Sequence, residues 1–63
     1  MKRQAFLKHL QRHGCAFVRE GGRHSWWGNP KNKKRSAVPR HAEIDDDLCR
    51  KICKDMAIPP PPR

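Results

Sequence analysis

The sequence predicts an α+β domain in which a helix, three antiparallel strands and a second helix follow in order. Apolar residues recur at helical spacing near both ends of the chain, and Gly or Pro turns divide the middle into three short extended segments. The 63 residues have room for one small domain. Because both helices can cover one face of the sheet, we expect the other face to stay open to solvent or to a partner.

The first helix is predicted to run from Lys2 to His13 and to end at Gly14, since glycine adopts the left-handed backbone conformation easily. Its apolar residues recur at helical spacing and predict one face against a core: Ala5, Phe6, Leu7 and Leu10. His9 and His13 are expected on the outer part of this helix, without a functional role.

Three strands are predicted at about residues 15–20, 23–28 and 34–38. In the first strand, alternation places Arg19 on the same face as Phe17. The Gly21-Gly22 pair permits the positive backbone angles of a tight hairpin, and residues 29–33 form a polar turn. Pro39 ends the third strand because it has no N–H group to donate to a neighbouring strand.

A linker at residues 40–44 precedes the second helix, for which the three aspartates at 45–47 supply an N-cap and negative charge at the positive end of the helix dipole. Apolar residues then recur at helical spacing: Leu48, Cys49, Ile52, Cys53 and Met56. We expect one domain over residues 1–58 and a solvated Pro-rich tail over residues 59–63.

The three cysteines are predicted to be small buried hydrophobic residues. The alternative is that Cys49 and Cys53, with His41 nearby, bind zinc. A structural zinc site, however, usually has a second close pair of ligands. Cys15 has no such companion, and an odd number of thiols disfavours a disulfide framework.

Positive charge is concentrated in the first two thirds of the chain. The formal net charge is +9, and residues 1–42 contain eleven of the fifteen Lys and Arg residues against Glu20 alone. A field concentrated in this way attracts a polyanion, and nucleic acid is the commonest such partner. Charge kept for solubility and an acidic protein partner are the alternatives.

Hydrophobic residues make up 35% of the chain, and none of them form a run long enough for a membrane span or a signal-peptide core. We therefore expect a cytoplasmic protein that does not contact a membrane.

His24 is the candidate catalytic residue, because an imidazole both takes and gives a proton near neutral pH. Alternation along the second strand places His24 and Trp26 on the open face of the sheet. Ser25 and Trp27 then point towards the core. A lone histidine is more often structural, but the glycine turn brings backbone close to a bound phosphate and Arg23 can hold that phosphate through two hydrogen bonds.

The other candidate residues are expected to contact the phosphates or bases of RNA. Trp26 is predicted either to stack on an unpaired base or to contact a protein partner. His41 either assists His24 or is a surface residue. The predicted RNA and phosphate contacts are Gly22, Arg23, Trp26, Lys33, Lys34, Arg35, Arg40 and His41.

This set of residues favours cleavage of RNA without a metal ion. RNA carries its own nucleophile, the 2′-hydroxyl group, so one residue that transfers protons and several cations near the phosphate suffice. Two-metal nucleases need several converging carboxylates, and Glu20 is the only acidic residue before the linker. The sequence therefore predicts no metal site and no cofactor.

Three segments carry a close resemblance to a known family: residues 21–30 (GGRHSWWGNP), 36–41 (SAVPRH) and 52–58 (ICKDMAI). They resemble the HicA-type toxins of type II toxin–antitoxin modules, over about Lys2 to Ile58. The resemblance implies a fold like the double-stranded RNA-binding domain and cleavage of mRNA, with His24 as the key residue. It also implies a HicB-type antitoxin that blocks the active site, and growth arrest when the toxin is free.

The chain departs from the family pattern in two places. Arg23 stands where many members have serine, which adds a phosphate-binding charge in place of a hydroxyl group. Asp46 and Asp47 replace a common Gly-Thr pair before the second helix, and we expect this change to affect the helix cap rather than the chemistry.

Two other classes of function fit the same charge distribution. A non-catalytic domain of the same fold would bind RNA without cutting it, and a structural subunit would bind an acidic protein. Turnover of RNA distinguishes an endoribonuclease from a non-catalytic RNA-binding domain. Retention of RNA at moderate salt distinguishes it from a structural subunit that binds an acidic protein.

Overall fold

The computed structural model describes residues 1–62 and has the predicted order of elements. The elements are α1 (Arg3–Arg12), β1 (Ala16–Glu20), β2 (His24–Asn29), β3 (Lys34–Pro39) and α2 (Asp46–Asp55). The strands form one antiparallel sheet in the order β1-β2-β3. The predicted α+β class is confirmed, with one helix before and one helix after the three strands in the chain.

The core lies between the two helices and one face of the sheet, so the opposite face of the sheet is uncovered. Trp27 of β2 is 5% exposed and belongs to this core, while Trp26 is only half-buried, which confirms the predicted placement of Trp27 in the core. The core residues are Phe6, Leu10, Cys15, Trp27, Val38, Ile44, Cys49, Ile52, Cys53 and Met56.

The three cysteines are buried free thiols, as predicted. Burial raises the pKa of Cys53 to about 11, and its neighbours Cys49 and Cys15 contribute in the same direction. Cys53 is therefore a protonated thiol at neutral pH, which is the unreactive form. Within residues 1–62 no three His, Cys, Asp or Glu side chains converge as metal ligands would.

Helix α1 ends at the predicted glycine, but His9 differs from the prediction. Gly14 has a φ of 85°, the left-handed conformation that ends the helix. The expectation that His9 lies on the outer side of α1 is wrong, because His9 is 7% exposed. Its Nε2 donates a hydrogen bond of 2.8 Å to the carbonyl oxygen of Pro59. A contact across 50 residues has no signature in the local sequence.

The Pro-rich tail begins against the body of the domain. Ile58 packs on the core, and the Pro59 carbonyl is tied to α1 through His9. The side chains of Pro59, Pro60 and Pro62 are exposed, as a solvated tail requires, and Pro61 is half-buried. The last residue of the predicted tail, Arg63, lies outside the described residues.

The start of α2 agrees with the prediction in charge but not in hydrogen bonding. Asp45 occupies the N-cap position, yet its carboxylate makes no capping hydrogen bond. Asp46 and Asp47 lie in the first turn, where the helix dipole favours negative charge. Asp46 also accepts a hydrogen bond of 3.1 Å from the amino group of Met1.

The alternation predicted for β1 is interrupted by a bulge between Phe17 and Arg19. A bulge adds one residue to a strand and so reverses the faces of the residues that follow it. Arg19 consequently pairs with Trp26 and joins the open face, and Glu20 pairs with Ser25 on the face of the helices. The predicted placement of Arg19 on the face of Phe17 is wrong.

No helix in residues 1–62 has both the length and the apolar character that crossing a bilayer would require.

Candidate active site and nucleic-acid interface

The open face of the sheet presents the side chains predicted for the site. Alternation along β2 places His24, Trp26 and Gly28 on this face. Their partners on β3 are Pro39, Ala37 and Arg35, respectively. The face therefore carries an imidazole at one end, an indole in the middle and an arginine at the other end.

His24 is the first residue of β2 and its side chain is exposed. Its carbonyl oxygen accepts a hydrogen bond of 2.8 Å from the N–H group of Gly21, which closes the turn between β1 and β2. Within residues 1–62 the imidazole itself makes no hydrogen bond, so both ring nitrogens are available to a ligand. An imidazole with both nitrogens free can donate to or accept from a bound ligand.

Trp26 lies next to His24 on the open face and is packed against the turn. A Cβ atom on Gly21 would lie 2.9 Å from Nε1 of Trp26 and 3.0 Å from the carbonyl oxygen of His24. A side chain at position 21 would therefore displace the indole or the turn. Neither Gly21 nor Gly22 adopts the left-handed conformation, so the reason predicted for the glycine pair is wrong at this turn.

Arg19 is a site residue that the sequence did not predict. Its guanidinium carbon lies 6.0 Å from the centroid of the Trp26 ring, within the range of a cation–π contact. The bulge in β1 brings the two residues together, and neither glycine nor proline marks that bulge in the sequence. Arg19 adds a cation beside the Trp26 indole on the open face.

A shallow groove lies at the far end of the open face. Its volume is about 270 Å³, and its lining combines small or apolar side chains with cations: Ala16, Val18, Gly28, Asn29, Pro30, Lys33, Lys34 and Arg35. Gly28 is four residues from His24, a separation of about 13 Å along an extended strand. The three predicted cations of this group lie together, but away from the imidazole.

The other predicted residues lie at the end of the sheet that carries His24. Gly22 and Arg23 form the exposed tip of the turn between β1 and β2. His41 is exposed in the linker, two residues after Pro39, the partner of His24. The predicted residues thus form two groups, one around the imidazole and one around the groove.

Arg40 lies with the first group but is already engaged. Its Nη2 donates hydrogen bonds of 2.8 Å to the Gly22 carbonyl and 3.2 Å to the Gly21 carbonyl. Its Nη1 forms an ion pair with Oε1 of Glu20. A hydrogen bond from Ser25, followed by Arg40 itself, holds the pKa of the Glu20 carboxyl below its usual value, so Glu20 is ionised at neutral pH.

Comparison with known families relates most of the chain to a described family. A family model described as HicA toxin of bacterial toxin–antitoxin matches residues 3–58. The match spans both helices, the whole sheet and the turn that carries His24. Comparison with the curated proteins and with the solved structures gives no match.

Proposed function

Because the chain belongs to the family of HicA toxins of bacterial toxin–antitoxin modules, we propose that it is a metal-independent endoribonuclease that cleaves mRNA. His24 is the catalytic residue of this proposal. The observation that carries it is the exposed imidazole at a tight turn, beside Arg23 and on an uncovered sheet face. We assign the toxin domain to residues 1–58 and treat residues 59–63 as a tail.

The proposed reaction uses the 2′-hydroxyl group of the RNA as its nucleophile. The 2′-oxygen attacks the adjacent phosphorus and loses its proton, the bond from phosphorus to the 5′-oxygen breaks, and that oxygen takes up a proton. His24 serves as the general base for the first proton or the general acid for the last. His41 is the candidate for the second proton transfer, because it follows the strand that pairs with His24.

Cations on and beside the open face stabilise the charge that develops on the phosphorane. Arg23 adjoins His24 in the chain, and Arg19 lies over Trp26. A guanidinium group binds a phosphate through two parallel hydrogen bonds. Glu20 faces the helices and is paired with Arg40, so it is not available to hold a metal ion for the reaction.

A toxin of a toxin–antitoxin module has an antitoxin partner. We propose that this partner is of the HicB type and covers the open face around His24. The face carries exposed cations, so the covering surface should be acidic or mixed in charge.

The test is cleavage of RNA by purified protein in the presence of EDTA, with His24→Ala as the key variant. Loss of a general acid or base lowers the rate by about 100- to 10,000-fold. RNA binding should be retained, and a 2′-deoxy substitution at the cleaved position should prevent cleavage of that bond. His13→Ala, a change of a half-buried histidine at the end of α1, is the matched control and should cleave at the wild-type rate.

The same measurement separates the other function classes. RNA bound without turnover by the wild-type protein would identify a non-catalytic RNA-binding domain. No retention of RNA at moderate salt would instead favour an acidic protein as the partner of this face.

A further inference from the structure

Four side chains behind the turn between β1 and β2 are joined in one chain of hydrogen bonds. We call them the turn network: Arg3, Glu20, Ser25 and Arg40. At its centre, Oε1 of Glu20 accepts a hydrogen bond of 2.8 Å from the Ser25 hydroxyl and an ion pair from Arg40. The carboxylate thus connects the linker after β3 to the strand that carries the imidazole.

The second arginine extends the network to the end of β3. Nη2 of Arg3 donates a hydrogen bond of 3.0 Å to the hydroxyl oxygen of Ser25. Nε of Arg3 donates one of 2.9 Å to the carbonyl oxygen of Pro39. Ser25 is 1% exposed, so this part of the network is shielded from solvent.

The contacts of the turn network surround the backbone of His24 on three sides. Gly21 and Gly22, which precede His24, are held by Arg40. Ser25, which follows it, is held by Glu20 and Arg3. Pro39, which pairs with His24 across the sheet, is held by Arg3.

We propose that the turn network positions His24 for catalysis, and that Arg40 is a positioning residue rather than an RNA contact. The inference rests on the proposed function. Ser25 faces the helices while His24 faces outwards, so the network fixes the backbone of His24 without touching the imidazole. A displacement of about 1 Å at a reacting group is enough to cost about 100-fold in rate.

The hydrogen bonds of Arg40 argue against a direct role in binding RNA. Both of its terminal nitrogens already have acceptors, and one of these acceptors is a carboxylate. A phosphate would have to displace that carboxylate. Arg40 also covers the carbonyl oxygens of Gly21 and Gly22, whose negative dipole ends would otherwise repel a phosphate at His24.

Two conservative variants test the positioning role, Arg40→Lys and Glu20→Gln. A lysine keeps the charge but cannot make the forked contact to two carbonyls and a carboxylate. The matched control is Arg50→Lys, because Arg50 pairs with Asp47 on α2 and is as exposed as Arg40, at 39%. Thermal melting establishes that each variant is folded.

The expected result is a lower kcat for RNA cleavage at nearly unchanged KM. Arg40→Lys and Glu20→Gln should each reduce kcat by about 10- to 100-fold. Arg50→Lys should keep the wild-type kcat and KM. A raised KM and an intact kcat in Arg40→Lys would show that Arg40 binds RNA, and so would overturn the proposal.

A second measurement needs no RNA and separates failure of this inference from failure of the proposed function. The N–H group of Gly21 is hydrogen-bonded to the His24 carbonyl, so its exchange with solvent reports on the turn. Exchange should be about tenfold faster in Arg40→Lys than in the wild type, and unchanged in Arg50→Lys. Unchanged exchange in Arg40→Lys overturns the network, whereas a wild-type protein that cuts no RNA overturns the proposed function.

Discussion

The turns at the two ends of β2 are held by different chemistry. The turn before β2, at residues 21–23, is held by charged side chains that meet at the half-exposed carboxylate of Glu20. The turn after β2, at residues 30–33, is held by the side-chain amides of Asn29 and Asn32. Both amides donate to the carbonyl oxygen of Met56 at the end of α2, over 2.8 and 3.1 Å.

Because of this difference, pH and salt should affect one end of the sheet more than the other. The neutral amide hydrogen bonds of Asn29 and Asn32 do not titrate and are not screened by salt. The exposed ion pair between Arg40 and Glu20 titrates and is screened by salt. The end that carries His24 is therefore the end whose geometry depends on solution conditions.

The largest effect is expected at the turn after β2, from Asn29→Asp. The aspartate would still accept from the N–H group of Lys31, but it cannot donate to Met56, and its charge would be buried against a carbonyl oxygen. Asn29 is only 4% exposed, so the substitution should lower the free energy of unfolding, measured with urea, by about 2 to 3 kcal/mol.

Asn32→Asp is the matched control, because Asn32 makes the same two kinds of hydrogen bond at an exposed position. Asn32→Asp should lower the free energy of unfolding by less than about 1 kcal/mol, since water replaces the missing donor. Equal losses in the two variants would contradict the view that this turn is anchored in the core.

A smaller effect is expected at the turn before β2, from Gly21→Ala. The added Cβ would lie 2.9 Å from Nε1 of Trp26 and 3.0 Å from the His24 carbonyl, so the indole or the turn must move. Overpacking of this kind should lower the free energy of unfolding by about 1 to 2 kcal/mol and reduce RNA cleavage.

Gly22→Ala is the control for this prediction, because its Cβ would meet no atom within 4 Å. It should unfold at the same urea concentration as the wild type, or slightly above it, since alanine restricts the unfolded chain. Destabilisation by both substitutions would contradict the view that limited space at position 21 accounts for the effect.

The two turns also differ in how far the sequence predicts them. The strand β2 is paired without interruption to β3, so simple alternation correctly placed the exposed His24 and the buried Trp27. Helical spacing and Gly14 likewise defined the helices to within a residue or two. These features depend on neighbours in sequence, which a local pattern contains.

Features that join distant residues were not predictable in this way. The ion pair between Arg40 and Glu20 joins residues 20 apart in the chain. Arg19 reached the open face through a bulge that no glycine or proline announces. The burial of His9 depends on Pro59, a residue in the tail. Each of these outcomes is decided by packing in three dimensions.

A further prediction concerns the groove beside the turn after β2. Arg35→Gln should weaken RNA binding at all sequences alike, and the slope of log affinity against log salt should fall by about 1. Lys54→Gln on α2 removes the same charge from outside the sheet and should leave the slope unchanged. Equal slopes for the two variants would show that RNA does not extend from His24 to the groove.

The smallest effect is the pH dependence of the turn before β2. The Ser25 hydroxyl and then Arg40 hold the pKa of Glu20 below its ordinary value of 4.5, with Arg3 contributing charge in the same direction. A lowered pKa in the folded state stabilises the protein above the unfolded pKa, and this contribution is lost as pH falls through the folded pKa. The urea midpoints of the wild type and Glu20→Gln should therefore differ at pH 7 and converge as the pH falls below 4.5 through the folded pKa. A constant difference across that range would mean that the carboxylate charge does not hold the turn, and that the hydrogen-bonding shape of the side chain alone does so.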